Sequence, residues 1–314
     1  MRHHIKIALL LICIILPFFC IGFLKNSKNF LALSRGNYFF QHSRNNLQLE
    51  NIVLDFGNNQ KLTFNLQDGF WRLKEADDYF VAYAQANALM RFITDTVIYR
   101  ADKLNDTDIA EQFTNSIKIT NLDNQGNILD YAQISLKQST NRYHYARINN
   151  TPYLYQINGN FSPSNILMDW IQMPLLQIDK NTIKRIDTHD FAIYRRFSDE
   201  QLKLTDTDKP AIHINQLINN LWFLNAEEVK HITHFNPKIC QKNRHYDITL
   251  FSGLIYSLDI YTCGEEYWLN IKLGKETLST SQAQNFLDEH QILYDGWFFK
   301  IDKNKGYLIS NFMI

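Results

Sequence analysis

The chain has 314 residues, of which 45% are hydrophobic and 14% aromatic, so it can bury a sizeable core and is not globally disordered. Its 32 Lys and Arg residues balance 32 Asp and Glu residues. A near-neutral chain lacks the basic surface that nucleic-acid binding needs, so we expect no nucleic-acid partner. The length predicts about two domains.

An apolar run at the N-terminus, Ile7–Leu24, contains no charge, side-chain amide or hydroxyl. As a helix it would span about 27 Å, close to the hydrocarbon thickness of a bilayer. Signal-peptide cores span roughly 7–15 residues and end at small residues in an A-x-A-like arrangement, which the segment Cys20–Leu24 lacks. We predict an uncleaved signal anchor over residues 1–24, with a cleaved signal peptide as the alternative.

The orientation follows from the flanking charges and the length of each side. Arg2 and Lys6 precede the run, but Lys25, Lys28 and Arg35 place positive charge beyond it as well. A six-residue head before a large body favours a single-pass protein of the bacterial inner membrane, with its C-terminal body on the periplasmic or extracytoplasmic side. Residues 25–47 are polar and are predicted to be a tether.

An internal repeat follows the tether. The segment Asn51–Asp77 aligns without a gap on Thr182–Asp208. The matching positions are Ile52 with Ile183, Leu62 with Ile193, Leu66 with Phe197, Asp68 with Asp199, Arg72 with Lys203, Leu73 with Leu204 and Asp77 with Asp208.

A helix is predicted after each window. Asp77 is a candidate N-cap for the helix Asp78–Ile93, whose apolar residues recur at helical spacing. Asp208 precedes Pro210 and the amphipathic segment Ala211–Leu224. The apolar stripes are Val81, Ala84, Ala88, Leu89, Phe92 and Ile93 in one helix, and Ile214, Leu217, Ile218, Leu221 and Leu224 in the other.

Strand patterns follow both helices, and each repeat ends in a short helix. The predicted strands are Thr96–Tyr99, Ile117–Leu122, Ile128–Leu136, Tyr143–Ile148 and Tyr153–Ile157, then Val229–Phe235, Tyr246–Phe251, Leu254–Tyr261 and Tyr267–Leu273. The short helices are Pro163–Trp170 and Thr280–His290. The predicted fold class is α+β, with two tandem similar lobes at residues 48–180 and 181–314, mostly antiparallel sheet with packed helices.

Three short features stand out: Trp71-Arg72-Leu73 at a strand end, the Asp-led helix, and the segment Asn165–Trp170 leading into Lys184-Arg185-Ile186. Together they resemble an uncharacterised bacterial membrane-anchored family, of the domain of unknown function 4340 type. The resemblance covers about residues 48–314, but Leu202 stands where the first repeat has Trp71. It implies an extracytoplasmic body of duplicated α+β units, in some members encoded near gliding-type ABC-transporter components. It transfers no catalytic residues.

No phosphate loop, zinc motif or nucleophile elbow occurs in the sequence. His231 and His234 are the best metal-like pair, but on a strand they would point to opposite faces, so we interpret them as ordinary histidines. His213 is interpreted as a partly buried helix residue, and Asp288-Glu289-His290 as a helix end, where a histidine caps rather than catalyses. We assign no catalytic residue, cofactor-binding residue, metal ligand or cofactor.

Four cysteines are present. Cys13 and Cys20 lie within the predicted anchor, whereas Cys240 and Cys263 flank a hairpin predicted to turn at Ser252-Gly253. In that register Cys240 lies opposite residue 265, so a slight bulge would bring the two cysteines together. A disulfide and a pair of free buried thiols are both left open.

Three functions follow from these patterns. The first is an anchored structural or interaction protein with a protein partner in a membrane complex, such as an accessory of a transport or gliding-type ABC complex. The second is a ligand-binding module that holds a peptide, glycan or lipid in a cleft between its lobes. The third is a hydrolase with a dispersed site. Of the three we favour the first, so we expect no enzymatic activity.

Overall fold

The computed structural model describes residues 35–45, 49–103, 113–140, 143–148, 151, 153–159, 162–205, 214–221 and 223–312. The predicted anchor, most of the predicted tether, His213 and the Asp208 cap lie outside these residues. Within them, no helix is long and apolar enough to cross a membrane.

Nine strands form the first sheet, in the order β4-β3-β2-β1-β6-β7-β8-β9-β5. They are β1 (Leu49–Gly57), β2 (Gln60–Gln67), β3 (Phe70–Leu73), β4 (Tyr79–Phe80), β5 (Ile98–Lys103), β6 (Ser116–Asp123), β7 (Ile128–Thr140), β8 (Tyr143–Ile148) and β9 (Tyr153–Asn158). Alternation explains why they form a sheet: in β6 the residues Ile117 and Ile119 are buried, while Lys118 between them is exposed.

Eight strands form the second sheet, in the order β12-β11-β10-β14-β15-β16-β17-β13. They are β10 (Ile183–Asp187), β11 (Ala192–Tyr194), β12 (Lys203–Leu204), β13 (Ala226–His231), β14 (Gln241–Leu250), β15 (Leu254–Cys263), β16 (Glu266–Lys275) and β17 (Trp297–Ile301). Neighbouring strands of this sheet pair antiparallel.

Five α-helices accompany the sheets in the described residues. They are α1 (Gln41–Asn45), α2 (Tyr83–Asp95), α3 (Ile214–Leu221), α4 (Ser281–His290) and α5 (Lys303–Ser310). All five residues of the apolar stripe predicted for α3 and its flank are buried. In α2 the buried stripe is narrower, because Ala84 and Ala88 are exposed.

Apart from β4, the two sheets have the same order of connections. In each, three consecutive strands run outward (β1-β2-β3 and β10-β11-β12), and the first sheet adds β4 outside β3. A helix follows, and the next strand, β5 or β13, lies at the opposite edge. Four further strands then fill the space between. The aligned pairs Ile52 with Ile183 and Leu62 with Ile193 are buried in both sheets.

By compactness the chain divides into two units that differ from the predicted repeats. Among the described residues, one contains Val53–Asn59 and Leu89–Ser162 with the part of the chain from residue 35 to Leu49, and the other contains Glu50–Ile52, Gln60–Ala88 and the segment from Pro163 onward. The segment Gln60–Ala88, which includes β2, β3 and β4, therefore packs as part of the second unit although its sequence belongs to the first repeat.

Several sequence expectations need correction. The molecule consists mainly of two antiparallel sheets with few helices, so the α content of the predicted α+β fold was overestimated. Asp77 is not an N-cap, since it follows the 3₁₀ turn Lys74–Ala76 in a left-handed conformation and α2 begins only at Tyr83. The helix predicted at Pro163–Trp170 is a 3₁₀ turn at Leu167–Trp170.

Candidate functional site

Arg195 follows β11, and its side chain is buried rather than solvated, with a relative exposure of 8%. Its Nε donates to the carbonyl of Ile183 at 2.7 Å, and its Nη2 donates to the carbonyl of Lys180 at 2.5 Å. Its Nη1 donates to the carbonyls of Ser198 and Glu200 at 2.8 and 3.3 Å. The guanidinium thus ties the turn at Lys180–Thr182 to the loop at residues 196–200.

The positive charge of Arg195 has no carboxylate within ion-pair distance among the residues that the structure describes. Burial lowers the pKa of Arg195, while the charges of Asp179 and Asp199 act in the opposite direction. An arginine keeps its proton in proteins, so the buried side chain stays cationic. Buried charges are usually paired at close range, whereas every acceptor of a hydrogen bond from this guanidinium among the described residues is a backbone carbonyl.

A cavity of about 440 Å³ opens beside Arg195 within the second unit. This volume is within the range of small-molecule sites. Polar side chains dominate its lining, among them Lys180, Asn181, Ser198, Asp199 and Asn215.

Glu200 also lines the cavity, but its carboxylate is committed to the protein. Its Oε2 accepts the backbone N–H groups of Arg196 and Phe197 at 3.0 and 3.3 Å. These bonds fix the loop that carries the cavity's other polar side chains.

A second cavity adjoins the first and shares Asn181, Ser198, Asp199 and Glu200 with it. Phe197 and Phe251 also line it, with exposures of 66% and 37%. The Arg195 guanidinium carbon lies 5.6 Å from the centre of the Phe251 ring. The polar cavity therefore has an aromatic neighbour.

The metal-like pair His231 and His234 does not lie on one strand. The strand β13 ends at His231 and a turn follows, so the predicted strand Val229–Phe235 extends too far. Asp77 organises this turn: its Oδ2 accepts the His231 N–H at 2.8 Å, and its Oδ1 lies 2.6 Å from Nδ1 of His234.

His231 is occupied elsewhere, with its Nδ1 2.9 Å from Thr233 Oγ1 and its ring against Trp297. Among the described residues, no group of three or more His, Cys, Asp or Glu side chains is placed to hold a metal ion. The contacts of this pair are those of a structural clasp on the turn.

Cys240 and Cys263 are bonded in the structure, with their sulfur atoms 2.01 Å apart. The hairpin turns at Ser252-Gly253 as predicted, but its register differs from the predicted one. A bulge between Lys242 and Arg244 shifts the pairing, so that Gln241 lies opposite Thr262 and Cys240 falls opposite Cys263. The redox state of this pair in the cell stays a prediction.

Aromatic residues pack around the disulfide on one face of the second sheet. Phe235, Trp268 and Phe298 form a buried cluster, and both cysteines pack against it together with Tyr261. Because aromatic side chains pack against both cysteines, we interpret the disulfide as a bond that stabilises the fold.

A row of ionisable side chains crosses β14 and β15. His245 Nδ1 lies 2.6 Å from Asp259 Oδ1, and His245 Nε2 lies 3.1 Å from Asp247 Oδ2. The Ser257 hydroxyl donates to Asp247 at 2.5 Å. Because the hydroxyl faces a carboxylate and not the imidazole, this row does not activate a serine nucleophile in the manner of a Ser-His-Asp triad.

A second Ser, His and Asp grouping lies in the first unit. The Ser43 hydroxyl donates to Asp130 Oδ2 at 2.6 Å, and His42 Nδ1 is 3.1 Å from Asp130 Oδ1. Asn121 donates to the Ser43 oxygen at 2.9 Å. The serine hydroxyl again donates its hydrogen bond to a carboxylate, and the network connects α1 to β7.

The segment Asp288-Glu289-His290 closes α4, as predicted. His290 Nδ1 is 3.0 Å from the Phe286 carbonyl, and its ring stacks on the Phe286 ring with 4.0 Å between the centroids. These contacts fit the predicted capping role. At the other end of the helix, Thr280 accepts the Ala283 N–H as the N-cap.

Comparisons with protein families, with curated proteins and with solved structures find no match to this chain. The resemblance stated from the short motifs therefore stays a prediction.

Proposed function

We propose that the chain is a single-pass protein of the bacterial inner membrane that holds its body outside the cytoplasm and acts as an interaction partner in a membrane complex. The observation that carries the proposal is the Cys240–Cys263 disulfide in a chain that also contains the apolar run Ile7–Leu24. Disulfides persist in oxidising compartments and are rare in the cytosol.

An interaction role is favoured over hydrolysis by the geometry of the two Ser, His and Asp groupings. In both, the serine hydroxyl donates to a carboxylate and makes no hydrogen bond to the histidine. A serine nucleophile needs an adjacent general base to remove its proton. A transport or gliding-type ABC complex is the partner that the resemblance implies.

Crosslinking in cells tests the interaction role. The full chain, tagged at its C-terminus, is crosslinked in intact cells and purified in detergent under denaturing washes. We expect specific membrane proteins to be recovered, and to be lost when residues 1–24 are replaced by a cleavable signal peptide that releases the body. A body that stays monomeric and partnerless in membranes would contradict the proposal.

Ligand binding is the second candidate, favoured by the cavity beside Arg195. A cavity of about 440 Å³ with a buried cation is a plausible ligand site, and a ligand that binds only the folded state raises its stability. Thermal unfolding of the full chain in detergent, screened against small polar and apolar compounds, tests this candidate. A melting temperature that no compound changes would count against it.

A further inference from the structure

We propose that the cavity beside Arg195 binds a small zwitterion of the amino-acid or dipeptide type. Its carboxylate would lie at Arg195 and Lys180, and its ammonium group at Asp199. This assignment rests on the ligand-binding role given above as the second candidate.

Arg195 brings a buried, fixed positive charge to the cavity. A guanidinium has five N–H donors, and four bonds to backbone carbonyls leave one donor at Nη2. The carbonyl bonds hold the side chain rigidly, so its charge is positioned before a ligand arrives. Such preorganisation reduces the entropic cost of binding.

Several polar side chains around the cavity are free of hydrogen bonds to the described residues. Lys180, Asn181, Ser198 and Asn215 line it, and their side chains make no hydrogen bond or ion pair with any described residue. An ammonium, a hydroxyl and two amides thus remain available to a polar ligand. Hydrogen bonds between ionised groups are the stronger kind, so a carboxylate is the group that Arg195 and Lys180 favour.

Asp199 gives the cavity both signs of charge. Its carboxylate makes no hydrogen bond or close ion pair with any described residue, and its charge acts on Arg195 only at longer range. A dianion such as phosphate would be repelled by Asp199 and by Glu200. A molecule with one carboxylate and one ammonium group matches the uncommitted charges.

Three related dipeptides provide the test, by isothermal titration on the full chain in detergent. The probes are alanyl-alanine, its N-acetylated form, which keeps only the negative charge, and its C-terminal amide, which keeps only the positive charge. We expect the zwitterion to bind at least about 10-fold more tightly than either analogue.

Two exposed lining residues provide variants that leave the fold intact. Lys180→Gln should weaken zwitterion binding about 10-fold, and Asp199→Asn should remove the preference over the acetylated probe. Arg196→Gln is the matched control, because Arg196 lines the adjoining cavity and not this one. It should bind like the unmodified chain.

Equal binding of all three probes, or no binding of any, would overturn the zwitterion assignment. If the acetylated probe binds as tightly as the zwitterion and Lys180→Gln weakens both, the assignment fails while the ligand-binding role stands. If no probe binds and the wider compound screen also changes nothing, both fail.

Discussion

Gly306 lies in α5 at a point where the helix passes against the ring of Tyr267. A Cβ atom built at this position would overlap that ring, and Gly306 is buried. Replacement by alanine improves helix propensity by about 1 kcal/mol, but overpacking of a filled contact costs about 1–3 kcal/mol. We expect Gly306→Ala to lower the free energy of unfolding in urea.

Gly274 provides the control for Gly306. It lies in β16 with a negative φ, and an added Cβ would meet only the Ile255 side chain, at 3.9 Å. Gly274→Ala should therefore change the stability by less than about 0.5 kcal/mol. Equal urea midpoints for the two variants would contradict the close approach at Gly306.

Asp77 holds the turn after β13 with both of its carboxylate oxygens. Removing the carboxylate leaves the His231 N–H and the His234 ring without their acceptor, at a cost of about 1–3 kcal/mol. Asp68→Ala is the matched control, since Asp68 has the same left-handed backbone, with φ of 52°, and no side-chain bond to the described residues. Asp77→Ala should destabilise the chain more than Asp68→Ala, and equal thermal midpoints would refute the clasp.

Asp259 makes stability depend on pH. Partial burial raises the pKa of Asp259, but hydrogen bonds from Lys242 and His245 outweigh it and hold that pKa below its ordinary value. A carboxylate with a lowered folded-state pKa contributes stability that is complete above its unfolded pKa, near 3.9. That contribution is lost as the pH falls further, through the folded-state pKa.

Comparison of Asp259→Asn with the unmodified chain measures this contribution. We expect the variant to be less stable by about 1 kcal/mol at pH 6, with the difference shrinking as the pH falls from 4 toward 2. Urea titrations at stepped pH values provide the measurement. A stability difference that grows as the pH falls would show that the pKa of Asp259 is not lowered in the folded state.

At the scale of elements, the disulfide joins β14 and β15 across the open end of their hairpin. It spans a sequence separation of 23, for which loop-closure entropy gives a stabilisation of about 3 kcal/mol. In the double variant Cys240→Ser, Cys263→Ser the free energy of unfolding should be lower by that amount, and the urea midpoint should fall accordingly. A reductant should lower the urea midpoint of the unmodified chain and leave that of the double variant unchanged. An unmodified chain whose midpoint does not change with reductant would contradict the stabilising role.

The element patterns that sequence could predict are those set by local periodicity. The strands β6–β9 and β14–β16 were predicted with boundary errors of a few residues, because alternation or continuous apolar runs mark them. The hairpin turn at Ser252-Gly253 was found because glycine is a local turn signal, and Gly253 does adopt a positive φ. The strand β17 and the helix α5 were missed.

The errors arise where tertiary contacts override local signals. Asp77 looks like a helix cap in the sequence, yet its partners His231 and His234 lie more than 150 residues away. The β-bulge between Lys242 and Arg244, which aligns Cys240 with Cys263, has no recognisable signal in the sequence around it.

Arg195 was missed although a signal was present. In the gapless alignment of the repeats, Arg195 falls on Phe64, which is buried and packs against Trp170. A charged residue at the position of a core aromatic indicates either an error in the alignment or a buried cation. The structure shows the latter.

At the scale of the whole molecule, the two sheets share one order of connections apart from β4. The boundaries of the two compact units, however, differ from the boundary between the two sequence repeats. The segment Gln60–Ala88 belongs to the second compact unit, where Tyr79 donates to the carbonyl of Leu293 at 2.9 Å and packs against Trp297. A fragment starting at residue 181 would lose these contacts. We expect it to be less stable than the full body, as judged by limited proteolysis.

The compartment of the body is the central claim, and counting thiols in cells tests it most directly. In a Cys13→Ser, Cys20→Ser variant of the full chain, cells are quenched with acid, denatured, and treated with a maleimide polymer that adds mass at each free thiol. The account predicts no added polymer before reduction and two additions after it, because Cys240 and Cys263 are oxidised outside the cytoplasm. Two additions before reduction would contradict it.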